Sequence, residues 1–182
     1  MKHLVLLLFI MISGNVFSQD FENLALGKRA NDFVLKTIQG DNIQLSELNE
    51  KEPVVLIVLR GWVGYQCPVC SRQVGAFISE AEKLNEFGAN VLFVYPGPSN
   101  ELQAKADEFT EDFNLPENFY FTLDPDYSMI NKYGLRWDAP KETAYPSTFV
   151  IGKNGKIVYS IISKTHRGRS KVDEVLEVLG TI

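Results

Sequence analysis

Val54-Val55-Leu56-Ile57-Val58-Leu59 runs through Arg60 into Gly61-Trp62-Val63-Gly64-Tyr65-Gln66-Cys67-Pro68-Val69-Cys70. An unbroken apolar run of this length suits a strand covered on both faces, as in the middle of a parallel sheet. The only two cysteines of the chain follow it, as a C-P-x-C unit. Proline holds φ near the helical value and lacks the N–H that a first helical turn leaves unpaired, so Pro68 fits the first helical position. Cys67 then becomes the N-cap and Cys70 the third helical residue. A sulfur at the N-cap faces unpaired N–H groups and the positive end of the helix dipole, which favours thiolate over thiol.

Two plainer uses of the cysteines compete with redox chemistry. A structural bridge across so short a loop restricts little of the unfolded chain, so it would add little stability. A tetrahedral zinc site wants four ligands, and the remaining soft donors are only His3 and His166. A strand followed by C-x-x-C at a helix start favours a redox dithiol.

Outward from this unit, the chain of 182 residues is long enough for one domain with a full core. Residues 1–18 read as a secretory leader: Lys2 and His3, an apolar stretch over 4–12, then Val16 and Ser18 before a cut at Gln19. The stretch is short for a membrane span, so no stable span is expected after cleavage. The mature chain, residues 19–182, is expected in the periplasm or secreted. The formal charge is −5, with 18 basic and 23 acidic residues, which argues against nucleic acid as a partner.

Residues 31–37 and 42–45 flank Gly40-Asp41 and read as a hairpin. A helix is expected from Pro68 to Gly88, carrying Val69, Ala76, Phe77, Ala81 and Leu84 on its apolar face. A strand over 90–95 precedes a helix capped by Ser99. A strand over 119–123 precedes Asp124-Pro125-Asp126 and a short helix ending at Tyr133-Gly134. Residues 147–151 and 156–162 form a second hairpin, and a last helix begins in a capping box at Ser170. Alternating strands and helices of this kind predict a three-layer α/β/α sandwich around a mixed sheet.

Residues 31–179 resemble the thioredoxin fold, in its alkyl hydroperoxide reductase/thiol-specific antioxidant (peroxiredoxin-like) branch. The resemblance rests on 59–70, on Thr122-Leu123-Asp124-Pro125-Asp126 through Tyr133-Gly134-Leu135, and on Pro146-Ser147-Thr148-Phe149-Val150-Ile151 with Gly155. It implies an oxidoreductase acting on disulfides or peroxides. In the thioredoxin register Cys67 attacks and Cys70 resolves, and Tyr145-Pro146 matches the cis-proline loop that faces the dithiol. The peroxiredoxin register resembles P-x-x-x-T/S-x-x-C. It would put Val63 and Cys67 before Cys70, or Arg60 and Gly64 before Cys67, and Pro146 stands where that family carries an arginine. The usual peroxide-activating set is therefore absent from its usual places.

Other cations could take its part. Residues 156–162 run antiparallel to a strand starting at Ser147, so their end should bring Lys164-Thr165-His166-Arg167-Gly168-Arg169 towards the dithiol. There they would lower a thiol pKa or attract a peroxide or an acidic partner, if they are not simply a solvated loop. Arg60 reads equally as an electrostatic helper or a salt-bridged scaffold residue, and Arg72 as a solvated face. Trp62 and Tyr65 suit either an apolar rim or core packing.

The expectation is an exported thiol oxidoreductase working through Cys67 and Cys70, supported by Pro146, Arg60 and Tyr145. It needs no cofactor, since no nucleotide or flavin motif occurs. Its electrons would come from a protein dithiol and pass to a disulfide or peroxide substrate. A dedicated disulfide reductase of the cytochrome-maturation type and a redox-inert binding module are the alternatives.

Overall fold

The computed structural model describes residues 21–182; the leader expected at 1–18 lies outside the described residues. The elements follow in the order β1 (Val34–Thr37), β2 (Asn42–Gln44), α1 (Leu45–Leu48), β3 (Val54–Val58), α2 (Pro68–Ser79), α3 (Ala81–Glu86) and β4 (Asn90–Gly97). Then come α4 (Ser99–Thr110), β5 (Phe119–Pro125), α5 (Ser128–Lys132), β6 (Ser147–Ile151), β7 (Ile157–Ile162) and α6 (Val172–Leu179). The strands form one mixed sheet in the order β2-β1-β5-β4-β3-β6-β7. β4 pairs in parallel with β3 and β5, and the remaining pairs are antiparallel.

Period-two alternation along the central strands divides the core into two layers. On one face Val55, Ile57 and Leu59 pack with Val91, Phe93 and Tyr95, under Val74 and Phe77 of α2, Leu102 and Phe109 of α4, and Val175 of α6. On the other face Val54, Leu56 and Val58 pack with Leu92 and Val94, beneath Leu45 of α1 and Met129 and Ile130 of α5. This is the expected three-layer sandwich, and both cysteines belong to the first layer.

Three local expectations need correction. The helix from Pro68 does not continue to Gly88; it breaks at Glu80 (φ −107°, ψ 18°) into α2 and α3. Ser79 Oγ donates back to the Ala76 carbonyl at 2.8 Å, and the Glu80 N–H tightens onto Phe77, both of which favour a bend. The buried face of α2 is Cys70, Gln73, Val74 and Phe77, so Ala76 lies on the solvent side.

Ser99 is the first residue of α4 rather than its cap, and its N–H is taken by Asp126 Oδ1 at 3.0 Å. Ser170 is likewise not the cap of α6. It is buried and donates to Thr148 Oγ1 at 2.8 Å, while the Lys171 N–H is accepted by Glu174 Oε2 at 3.1 Å.

The sheet sets the place of the cysteine loop. Trp62 N–H bonds the Pro96 carbonyl at 2.9 Å, drawing the chain after β3 against the end of β4. Gly61 makes this possible: its φ is +72°, and a Cβ there would sit 1.9 Å from the Pro96 oxygen. At the end of β5, Asp124 is buried and accepts from Ser128 Oγ, Met129 N and Ile130 N at 2.7–3.0 Å, which starts α5.

Candidate active site

The first turn of α2 forms as the C-P-x-C spacing predicts. Cys67 is the N-cap in an extended conformation, Pro68 opens the helix, and the Cys70 N–H donates to Cys67 Sγ at 3.4 Å. Gln66, just before it, is pinned on both ends of its amide: Nε2 donates to the Lys105 carbonyl and Oε1 accepts from Tyr95 Oη, both at 2.8 Å. Both cysteines are reduced thiols, and neither is much open to solvent: Cys67 is 4% exposed and Cys70 0%.

Their surroundings divide the pair. Hydrogen bonding from the Cys70 side chain, then from the Cys70 N–H, the Arg169 charge and the Val69 N–H, brings Cys67 down to about 5 against the opposing effect of burial. Burial pushes Cys70 well above the ordinary thiol value, helped by its bond to Cys67. One sulfur is thus poised as thiolate and its neighbour holds its proton.

The cation beside them is Arg169, from the expected 164–169 segment after β7. Its Nη2 lies 3.4 Å from Cys70 Sγ and 3.8 Å from Cys67 Sγ, and Nη1 is fixed by Gln73 Oε1 at 2.9 Å. Its Nε is buried with no hydrogen-bond partner among the described residues. The antiparallel pairing of β6 with β7 brings it there: Ser147 faces Val58 on one side and Ile162 on the other. Of the segment expected near the dithiol, Arg169 reaches the sulfurs, whereas His166 meets Glu142 and Lys164 lies over the Phe21 ring; sequence reasoning did not single out Arg169. Gln73 it missed altogether, although a glutamine one turn beyond Cys70 on the same helix face was a usable signal.

Arg60 uses its side chain elsewhere. Nε and Nη2 bind the two carboxylate oxygens of Glu142 at 2.7 and 3.0 Å, Nη2 also binds the Lys141 carbonyl, and Nη1 donates to Tyr65 Oη. Its backbone N–H, not its guanidinium, is directed at Cys70. Glu142, for which the sequence held no signal, also meets His166 Nε2 at 2.8 Å.

Tyr145 stacks on Trp137 with centroids 5.0 Å apart, and Trp137 in turn packs beside His166. Pro146 precedes β6, and its carbonyl accepts the Ser163 N–H at 2.9 Å. The expected cis bond is absent: the Tyr145–Pro146 peptide is trans, as is every peptide among the described residues. The Tyr145 N–H bonds the Leu135 carbonyl at 2.9 Å and its own carbonyl accepts from Ser147 Oγ at 2.7 Å, and trans is the lower-energy isomer for X–Pro.

Trp62 is partly buried against the core, with Nε1 donating to Glu101 Oε2 at 3.0 Å. Tyr65 is 44% exposed beside it. Arg72 is exposed on α2. Among the described residues no three His, Cys, Asp or Glu side chains gather to hold a metal, and no helix is long and apolar enough to cross a membrane.

Residues 26–160 match the family model described as the AhpC/TSA family. The chain belongs to the AhpC/TSA family. It is similar to the thiol-disulfide oxidoreductase ResA of Halalkalibacterium halodurans, 28% identical over 84% of this chain and 76% of that protein. It is also similar to chloroplastic peroxiredoxin Q of Sedum lineare, 27% identical over 89% of this chain and 81% of the relative. In fold, this AhpC/TSA chain superposes on the peroxidoxin BcpB of Mycobacterium tuberculosis with a TM-score of 0.69, at 23% identity, covering 87% and 98% of the two chains. Its relatives are oxidoreductases of thiols and of peroxides, the enzyme class expected from the dithiol.

Proposed function

We propose that this chain is an exported thiol–disulfide oxidoreductase, residues 19–182 forming its working domain, with Cys67 as nucleophile and Cys70 as resolving thiol. The observation that carries the reading is the split between the sulfurs. Cys67 caps α2 and accepts the Cys70 N–H, while Cys70 is fully buried. The Cys67 thiolate attacks one sulfur of a substrate disulfide; a new S–S bond forms and the other substrate thiolate leaves. Cys70 then gives up its proton to the departing thiolate or to water. Its sulfur attacks Cys67 Sγ, closing the Cys67–Cys70 disulfide and releasing the second substrate thiol. Two electrons have passed to substrate, and a separate protein dithiol returns them by the reverse sequence.

Arg169 supports the first step by lying beside both sulfurs, where its charge favours thiolate. Arg60 and Glu142 hold the end of β3 from which the cysteine loop departs. Pro146 and Tyr145 border the same end of the sheet, beside Ser147 and Val58. The relatives named thiol-disulfide oxidoreductase favour a disulfide as substrate, which fits a reductase of the cytochrome-maturation type. Export is supported by the apolar stretch over 4–12 and the small residues before Gln19.

Peroxide reduction is a second reading, favoured by the guanidinium of Arg169. It lies against the sulfurs and keeps one N–H without a partner among the described residues, an arrangement suited to polarising a small oxygen substrate. Thiolate attack on peroxide gives a sulfenic acid and water (or an alcohol), and the neighbouring cysteine condenses with it to the disulfide, releasing a second water. The test is stopped-flow oxidation of the reduced protein by hydrogen peroxide and, separately, by a protein disulfide, in Cys67→Ser and Cys70→Ser forms. Exchange predicts that Cys70→Ser traps a mixed disulfide on Cys67 and that Cys67→Ser is inert. Full turnover by Cys67→Ser would overturn the assignment.

A further inference from the structure

One segment beside the dithiol carries a charge opposite to that of the whole chain. Residues 164–171 contain Lys164, Arg167, Arg169 and Lys171 and no Asp or Glu, in a chain whose formal charge is −5. Lys164, Arg167 and Lys171 are exposed, as is Arg72 on α2. Among the described residues none of these four makes an ion pair; Lys164 lies only over the Phe21 ring, 5.7 Å from its centroid.

Three of the cations share one concavity. A groove of about 390 Å³ runs between α2 and the start of α6, with Arg72 on one wall, Lys171 on the other, and Arg169 also lining it. Val69 and Phe77 supply apolar lining, and Asp173 is the one carboxylate in it. Arg169 touches both sulfurs, so this groove adjoins the dithiol itself. Next to Asp173, Glu174 Oε2 is engaged by the Lys171 N–H at 3.1 Å and by Tyr159 Oη at 3.0 Å, and Glu142 is held by Arg60 and His166.

We infer that the dithiol selects anionic substrates: disulfides and thiols whose carboxylates lie within a few bonds of the reacting sulfur, seated along the Arg72–Lys171 groove. This rests on the exchange reading above and specifies its substrate class. Cations at the rim raise the local concentration of an anionic disulfide and stabilise the thiolate it releases as the S–S bond breaks. They do the opposite for a cationic one. Exchange itself balances as before: the Cys67 thiolate and Cys70 thiol together lose two electrons and one proton, water supplies a second proton, and one disulfide becomes two thiols.

Three small probes separate the charge effect from the chemistry. Reduced protein at pH 7 is mixed with glutathione disulfide (dianionic), 2-hydroxyethyl disulfide (uncharged) or cystamine (dicationic). Each rate is divided by that of the same disulfide with an uncharged reference thiolate. At low salt the normalised rates should fall in that order, with about tenfold between first and last, the size expected for a few charge pairs across water. At 1 M salt, where the screening length is about 3 Å, the spread should close.

Replacing Arg72 and Lys171 together by Glu should invert the order; R72E alone, tested alongside in case the double variant does not fold, should narrow it. Equal normalised rates at low salt, or a preference untouched in both variants, would overturn the proposal and leave exchange standing. No exchange with any probe, by protein whose Cys67 still alkylates, would instead sink the exchange reading and the proposal with it.

Discussion

Arg169 Nη2 stands 3.4 Å from Cys70 Sγ although 99 residues separate the two in the chain. The thiol chemistry of α2 is therefore completed by a side chain from the far side of the β6–β7 hairpin. Gln73, one turn along α2 from Cys70, holds the other end of the guanidinium at 2.9 Å. The charge stabilises a thiolate, which exists only in the reduced protein, and has nothing comparable to act on in the disulfide.

Arg169→Gln should therefore raise the Cys67 titration by about one unit and make the reduction potential more negative. A tenfold change in the equilibrium is about 30 mV for a two-electron couple. Arg169→Lys should restore most of both, and Gln73→Ala should move both in the same direction by less. Thiolate absorbance against pH and equilibration with a glutathione buffer measure these. A variant that loses thermal stability while titration and potential stay put would leave Arg169 a structural residue only.

The split between the sulfurs has a pH signature. Alkylation of reduced protein should rise through pH about 5, where Cys67 titrates, and not through the ordinary thiol range. Between about 5 and 9.0 the unfolded chain keeps a proton on Cys67 that the native chain has released, so stability of the reduced protein rises with pH across that window. Below about 5 the contribution is gone. Cys70 acts oppositely above 9.0, because the native state there retains a proton that the unfolded chain gives up. Urea midpoints of reduced wild type and Cys67→Ala, compared from pH 4 to 9, should diverge as pH rises; parallel curves would contradict the depressed titration.

Glu142→Ala should be more damaging than its distance in sequence from the cysteines suggests. It leaves Arg60, 3% exposed, buried without its carboxylate. Breaking such a pair typically costs about 3–5 kcal/mol. Replacing both partners, as Arg60→Met with Glu142→Leu, should cost less than the single change. Denaturant unfolding of the three proteins reads this directly.

Two glycines flanking Trp62 and Val63 should respond very differently to alanine. At Gly61 (φ +72°) the new Cβ meets the Pro96 carbonyl at 1.9 Å, so the backbone itself must move. A loss of more than about 3 kcal/mol is expected, together with slower thiol exchange. At Gly64 (φ +96°) nothing lies within 4 Å, and only the conformational cost of about 1–2 kcal/mol applies. Comparable losses at both positions would show that the contact with β4 does not hold the loop.

Much of this architecture was legible because its signals are local. The run over 54–59, the N-cap geometry of Cys67-Pro68 and the paired strands after Ser147 each follow from short-range pattern. What escaped depends on partners far along the chain. Ser99 and Ser170 look like caps until Asp126 accepts the Ser99 N–H and Thr148 accepts the Ser170 hydroxyl proton. Arg60 reads ambiguously because Glu142 carries no pattern that ties it to the end of β3. Arg169 was one cation among several in its loop, and only the antiparallel register of β7 against β6 distinguishes it. The trans bond before Pro146 shows the limit of resemblance, since a fold-level analogy does not carry the isomer of one peptide.

The position of Arg169 also bears on how the protein is made. Synthesis delivers Cys67 and Cys70 about a hundred residues before the guanidinium that lies against them. Until β7 has paired and its following loop has closed, the growing chain carries two cysteines without that charge. The last part of the polypeptide thus adds its charge to a thiol that Cys70 already holds by hydrogen bonds, so the thiolate reaches its full stabilisation only when the fold is complete.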